Sequence, residues 1–144
     1  MPGNKAKGSK AERELYDLFV SNNFRAVRVA GSGMMENTAC DLIAGKAGCG
    51  KYAIEAKSSK APIKYVSKEQ IEQFLIFSEI FGLTPVVALR FNREGWLFVN
   101  PNQLRNSGKN WAIKLEDAKL IGKRFSQFFG SFNNADSSND SVQE

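Results

Sequence analysis

Apolar positions along this chain recur with two different periods, and the changes between them mark out its elements. Behind Ser9-Lys-Ala-Glu12, a capping-box pattern, Leu15, Tyr16 and Phe19 return at helical spacing to about Ser21. A second such box, Ser67-Lys-Glu-Gln70, predicts a helix that stops near Phe81, with Gly82 suited to the left-handed C-terminal position. Between the two helices the pattern shortens to alternation. Phe24–Val29 reads as a strand, and Asp41–Gly45 and Lys51–Ser58 read as two more, joined by the Gly-rich turn Lys46–Gly50. Residues 30–39 read as a flexible loop. Val86–Phe91 and Trp96–Val99 predict another strand pair turning at Asn92–Gly95, and Trp111–Leu115 a short strand before a helix over Glu116–Phe129. The order, with no internal repeat, predicts an α/β fold: a central mixed β-sheet flanked by helices.

Length and composition refine this outline. At 144 residues the chain suits one domain. We read 1–8 as a flexible basic N-terminal arm, 9–130 as the folded domain and 131–144 as a disordered acidic tail. No apolar run reaches membrane-spanning length, and the start lacks a secretory stretch. Cys40 and Cys49 fall at opposite ends of the predicted hairpin, too far apart to bridge, so both are expected as reduced thiols in a cytoplasmic protein. The net charge is +5, yet the last fourteen residues carry Asp136, Asp140 and Glu144 with no Lys or Arg. The body is therefore more basic than the whole, which fits a polyanionic partner held through its backbone.

Candidate chemistry centres on Asp41, followed after thirteen residues by Glu55-Ala56-Lys57, in a chain without histidine. Hydrolysis here must then use carboxylates, lysine and metal. By alternation Tyr52, Ile54 and Ala56 share one face of their strand, and Ala53, Glu55 and Lys57 the other. Asp41 and Glu55 opposed across a strand pair would repel unless a cation lay between them, and a hard ion such as Mg²⁺ takes one or two carboxylates plus water and phosphate oxygens. An E-x-K pair alone is common as a surface ion pair; the combination with Asp41 is more specific.

Neighbouring residues extend this reading, each beside a plainer one. Glu12 shares the stripe of Leu15, Tyr16 and Phe19, with Glu14, Asp17 and Ser21 facing away; it either completes the capping box or joins the acidic centre. Gly31-Ser32-Gly33 is a flexible turn or a loop that lets backbone approach phosphate. Arg13 and Arg28 are solvated or bind phosphate. In the helix at 67–81, Ile71, Phe74, Leu75 and Phe81 form one stripe, with Ile76, Phe77 and Ile80 largely off it. A helix apolar on more than one side lies between two bodies: its own sheet, and either the C-terminal helix or, by preference, a second subunit.

On these residues the chain resembles the archaeal Holliday junction resolvases of the Hjc type. The resemblance is carried over roughly residues 7–100 by Lys7-Gly8, Ala11-Glu-Arg-Glu14, Phe24, Val27-Arg28, Ala30-Gly-Ser-Gly33, Asp41-Leu-Ile-Ala44 and Ile54-Glu-Ala-Lys57-Ser58. Tyr65-Val66, Gln70, Phe77-Ser-Glu-Ile-Phe81-Gly82, Pro85 and Val87-Ala88 complete it. It implies the restriction-endonuclease-like PD-(D/E)xK core, with residues 9–130 as the nuclease domain. It also implies Glu12, Asp41 and Glu55 as metal carboxylates, Lys57 as the catalytic lysine, and Ser32 as a loop serine that some members need. Arg13 and Arg28, with Lys5, Lys7 and Lys10 of the basic N-terminal region, are the expected DNA contacts, and Phe77 and Phe81 match aromatics of the dimer-forming helix. Cys40 departs from the proline of the superfamily's motif, a change of turn and not of ligand.

The activity so implied is symmetric, Mg²⁺-dependent hydrolysis of four-way DNA junctions by a homodimer in recombination and repair, with Mn²⁺ expected to substitute. The location implied is cytoplasmic and nucleoid-associated, with no membrane partner. The rival readings are a related nuclease acting on other branched or linear DNA, and a non-catalytic DNA-binding module. Finally, Phe125-Ser-Gln-Phe128-Phe129 has the spacing of a sliding-clamp-binding peptide, although Gly122 stands where Gln is expected; the competing and preferred reading packs the three rings into the core.

Overall fold

The computed structural model describes the backbone of residues 2–29 and 40–130, with side chains from Lys10 onward. α1 (Pro2–Ser21) is followed by β1 (Arg25–Arg28), β2 (Leu42–Lys46), β3 (Gly50–Ser59), β4 (Ile63–Ser67) and α2 (Lys68–Phe81). β5 (Thr84–Phe91) and β6 (Gly95–Val99) lead through a 3₁₀ turn at Pro101–Gln103 to β7 (Arg105–Ser107), β8 (Asn110–Lys114), α3 (Leu115–Ile121) and α4 (Phe125–Phe129).

The strands form a five-stranded sheet ordered β1-β2-β3-β5-β6 and a three-stranded sheet ordered β4-β8-β7. In the larger sheet β3 and β5 are parallel and every other neighbouring pair is antiparallel. A parallel pair needs a long crossover, and here β4 and α2 supply it. Alternation along the strands sorts the apolar side chains onto two faces. Tyr52, Ile54, Val86, Ala88 and Phe98 pack on Ala11, Leu15 and Phe19 of α1 and Phe129 of α4. Ala53, Val87, Leu89, Leu97 and Val99 pack on Ile71 and Phe74 of α2, on Val66 and Ile113 of the small sheet, and on Ala118 of α3. The expected central mixed sheet flanked by helices is what forms, with a small second sheet added to one side.

Several elements differ from the sequence expectation. α1 begins at Pro2 and not at Ser9; proline at the first helical position has no N–H to leave unbonded. Glu14 does not face away. Its Oε1 accepts from Trp96 Nε1 at 3.2 Å and lies 3.2 Å from Arg90 Nε. The single C-terminal helix is two short ones, because Lys123 exchanges both backbone hydrogen bonds with Phe98 (2.8 and 3.0 Å) and so pulls the chain onto β6. Gly122 permits this break, since a Cβ there would run into the Ala118 carbonyl oxygen. β4 and β7 were not legible as strands: β4 buries little besides Val66, and β7 is exposed throughout.

In α2 the N-cap Ser67 Oγ accepts from Gln70 N at 3.0 Å, and Gly82 closes the helix at φ 68°. Its buried row is Ile71, Phe74 and Ser78, with Ser78 Oγ donating to Phe74 O. Leu75 and Phe81, expected on that row, are 40% and 60% exposed, beside Ile76 and Ile80. Both cysteines are buried and neither forms a disulfide, as expected. Among the described residues no helix is long and apolar enough to cross a membrane. The tail at 131–144 and the loop around Gly31–Gly33, including Ser32, lie outside the described residues.

Candidate active site

The site forms where β2 and β3 part. Their antiparallel register ends at Leu42 opposite Ile54. Just before Leu42, Asp41 N donates to Ile54 O at 2.9 Å, and Asp41 O accepts from Val29 N at 3.0 Å. β3 runs on to Ser59 beside β5 alone, pairing Glu55 with Val87 and Lys57 with Leu89. From Glu55 onward its other edge therefore has no strand partner among the described residues. The freed N–H of Ala56 donates instead to Asp41 Oδ2 at 2.7 Å. A buried amide needs an acceptor, so the same carboxylate that completes the backbone bonding is brought to the start of the unpaired edge, beside Glu55.

Glu55 is 4% exposed. Burial, then a hydrogen bond to the Asp41 carboxylate and its negative charge, push its pKa up to about 10; Lys57 opposes the shift and Glu12 adds to it. Protonated, Glu55 donates to Asp41. Glu12, half-buried on α1, is raised by burial and by Asp41, with Arg28 and Lys57 pulling it down. The expected set thus shares one electrostatic neighbourhood: three carboxylates, Lys57 and Arg28. Cys40 Sγ donates to Leu42 O at 3.2 Å, and burial, followed by Glu55 and Asp41, raises its thiol to about 12. The thiol is buried, and Cys40 leaves Asp41 beside Glu55.

The donor set fits a hard divalent cation. Two neighbouring carboxyls, one of them buried, cannot both ionise without a compensating positive charge. Among the described residues, however, no three acidic, Cys or His side chains are gathered closely enough to hold an ion by themselves. Such an open set suits an ion that keeps several waters and shares phosphate oxygens.

The remaining candidates lie around this centre or apart from it. Lys10 and Arg13 are exposed on α1, and Arg28 at the end of β1. The side chains of Lys5 and Lys7 lie outside the described residues, although their backbone is helical. On α2 the Phe77 and Phe81 rings stack at 4.4 Å and 29°. Phe125 and Phe129 pack edge-on against Phe19, and Phe129 edge-on and Phe128 at a tilt against Phe98, so the phenylalanine-rich end of the chain joins the core. Sequence reasoning did not single out Arg90, held by Glu14, because the contact joins residues far apart in the chain.

Comparison with known proteins adds a further line. The family model for archaeal Holliday junction resolvase (Hjc) matches residues 3–132. The chain is 42% identical over 124 residues to the crossover junction endodeoxyribonuclease Hjc of Methanocaldococcus jannaschii, covering 86% of this chain and 87% of that one. It is 36% identical over 133 residues to the Hjc of Archaeoglobus fulgidus, covering 88% and 97%. A solved structure of Archaeoglobus fulgidus Hjc, a Holliday junction resolvase, superposes with a TM-score of 0.76 at 34% identity, covering 84% of this chain and 97% of that one.

Proposed function

The chain belongs to the archaeal Holliday junction resolvase family, and on that premise we propose how its own residues carry out the endodeoxyribonuclease reaction on four-way junctions. Its fold is the restriction-endonuclease-like one of that family. Asp41 and Glu55 would hold a divalent cation, Mg²⁺ with Mn²⁺ as a substitute, and Glu12 would join them directly or through water. When bound, the cation polarises the scissile phosphate and lowers the pKa of an attacking water. Lys57 orients the nucleophile or stabilises the charge that develops on phosphorus-bound oxygens. Ser32 assists, and Arg13 and Arg28, with Lys5, Lys7 and Lys10, hold phosphates to either side. In-line attack leaves 5′-phosphate and 3′-hydroxyl ends.

Two such sites, paired through α2 with Phe77 and Phe81 at the contact, cut opposed strands symmetrically in a homodimer. The observation that carries this reading is a nearly inaccessible Glu55 hydrogen-bonded to Asp41, with Lys57 in the same opening. A DNA-binding module without chemistry would have no use for that arrangement. The test is cleavage of a synthetic four-way junction with and without Mg²⁺, by wild type, Asp41→Asn and Glu55→Gln, with flap and linear duplexes as controls. Mg²⁺-dependent cutting of the junction by wild type alone supports it. Equal cutting of linear DNA would favour the broader nuclease, and wild-type binding without cutting the silent module.

A further inference from the structure

β4 follows β3 through a three-residue turn held by one side chain. Ser59 Oγ donates to Ala61 O at 3.0 Å or Ile63 O at 3.2 Å and accepts from Ala61 N at 3.2 Å. This folds β4 back against β3, with Lys64 near enough to Lys57 to feel its charge. Lys64 is directly opposite Ile113 in the small sheet and shares its strand face with Val66. Val66 and Ile113 are 3% and 2% exposed and belong to the core, whereas Tyr65 on the other face is 51% exposed. Lys64 therefore points toward the central sheet, at the end of an otherwise apolar row, and is half-buried. Burial and the charge of Lys57 both lower its pKa. Among the described residues no carboxylate pairs with it.

A half-buried ammonium beside a second one, with no carboxylate paired to it among the described residues, is unfavourable for folding alone. It becomes favourable when an anion enters from outside, and the polyanion that this site admits is a DNA strand. We propose that Lys64 is a further phosphate contact of the cleavage site, holding a phosphodiester adjacent to the one that Lys57 addresses. This rests on the reading of Asp41, Glu55 and Lys57 as the cleavage site. Lys57 meets the reacting group; Lys64 positions the strand through a phosphate that does not react.

The experiment uses the full chain and a synthetic four-way junction, with wild type, Lys64→Leu and Lys64→Arg. Binding in EDTA is measured across a salt series, and cleavage with Mg²⁺ is separated into kcat and KM. Lys64→Leu should bind roughly tenfold more weakly, as expected for loss of one charged hydrogen bond. Its log–log salt slope should be shallower by about 0.9. KM should rise with kcat little changed, Lys64→Arg should restore binding, and the melting temperature of Lys64→Leu should be no lower than that of wild type. Unchanged affinity and slope in Lys64→Leu would overturn the proposal. So would weaker binding accompanied by a lower melting temperature, which marks a structural role. If wild type bound the junction without cutting it, the reading of the cleavage site would fail, while the salt slope in EDTA would still decide the contact at Lys64.

Discussion

The carboxylate of Asp41 accepts a 2.7 Å hydrogen bond from the backbone N–H of Ala56, at the point where β3 loses its partner strand. One side chain thereby closes the backbone bonding of the site and sets a negative charge against Glu55. On the proposed function, structural and chemical roles are joined at this residue, and substitutions can separate them. Asp41→Asn keeps an oxygen for Ala56 and removes the charge facing Glu55. Its urea midpoint should equal or exceed that of wild type, while cleavage falls by roughly three orders of magnitude or more, given several kcal/mol of metal-assisted stabilisation. Asp41→Ala leaves the amide without an acceptor, so it should be less stable than Asp41→Asn by about 1–3 kcal/mol. Equal midpoints for the two variants would remove the structural role.

Glu55 links stability to pH and, on the proposed function, to metal. Unfolded, its carboxyl titrates near 4.5; folded and metal-free, it holds its proton up to about 10. Between these values the folded state binds more protons, so this group's contribution is full below 4.5 and declines as pH rises through the window to about 10. A divalent cation displaces the proton, so the rise in melting temperature on adding Mg²⁺ should be larger at about pH 8 than at about pH 6. Paired melts in Mg²⁺ and EDTA read this directly. A Glu55→Gln protein should show a much smaller shift, without the pH dependence.

The outer side of α2 exposes Leu75, Ile76, Ile80 and Phe81, with Ile80 at 75%. Ile80→Glu should change the stability of a monomer by no more than about 0.5 kcal/mol, as a surface substitution does. If this face is the subunit contact, the same change should halve the mass seen in sedimentation and abolish paired cutting of a junction. A wild-type chain that sediments as a monomer at micromolar concentration would dispose of the contact.

Phe129 is 1% exposed and meets the rings of Phe19, Phe24, Tyr52 and Phe98. Phe129→Ala should cost about 3–5 kcal/mol in denaturant melts, the usual range for deleting a buried aromatic ring. A cost under 1 kcal/mol would mean that α4 leaves the core readily, and would revive the clamp-binding reading of this segment; a pull-down on a sliding clamp with and without residues 120–144 tests that separately.

Much of this molecule was legible before any coordinates. The capping box at Ser67 and the C-terminal Gly82 mark α2 because cap and helix are neighbours in the chain. The faces of β3 followed from a period of two, and the grouping of Asp41, Glu55 and Lys57 from a hairpin short enough to fix its own register. That any hydrolysis here would lean on carboxylates, lysine and metal followed from the absence of histidine. The local readings that failed did so where a distant partner outweighed local preference. Glu14 turns toward Arg90 and Trp96, more than seventy residues away. Lys123 leaves the helical path to pair with Phe98.

The sequence by itself determined α2, the central strands, the two faces of β3 and the grouping of Asp41, Glu55 and Lys57, because each depends on side-chain chemistry and on spacing within a few turns or one hairpin. Only the tertiary structure decided that β2 parts from β3 at Asp41, that burial raises the Glu55 carboxyl, and that Lys64 shares the inward face of β4 with Val66. Those depend on which strands become neighbours and which amides are left without a partner, and no local pattern encodes either.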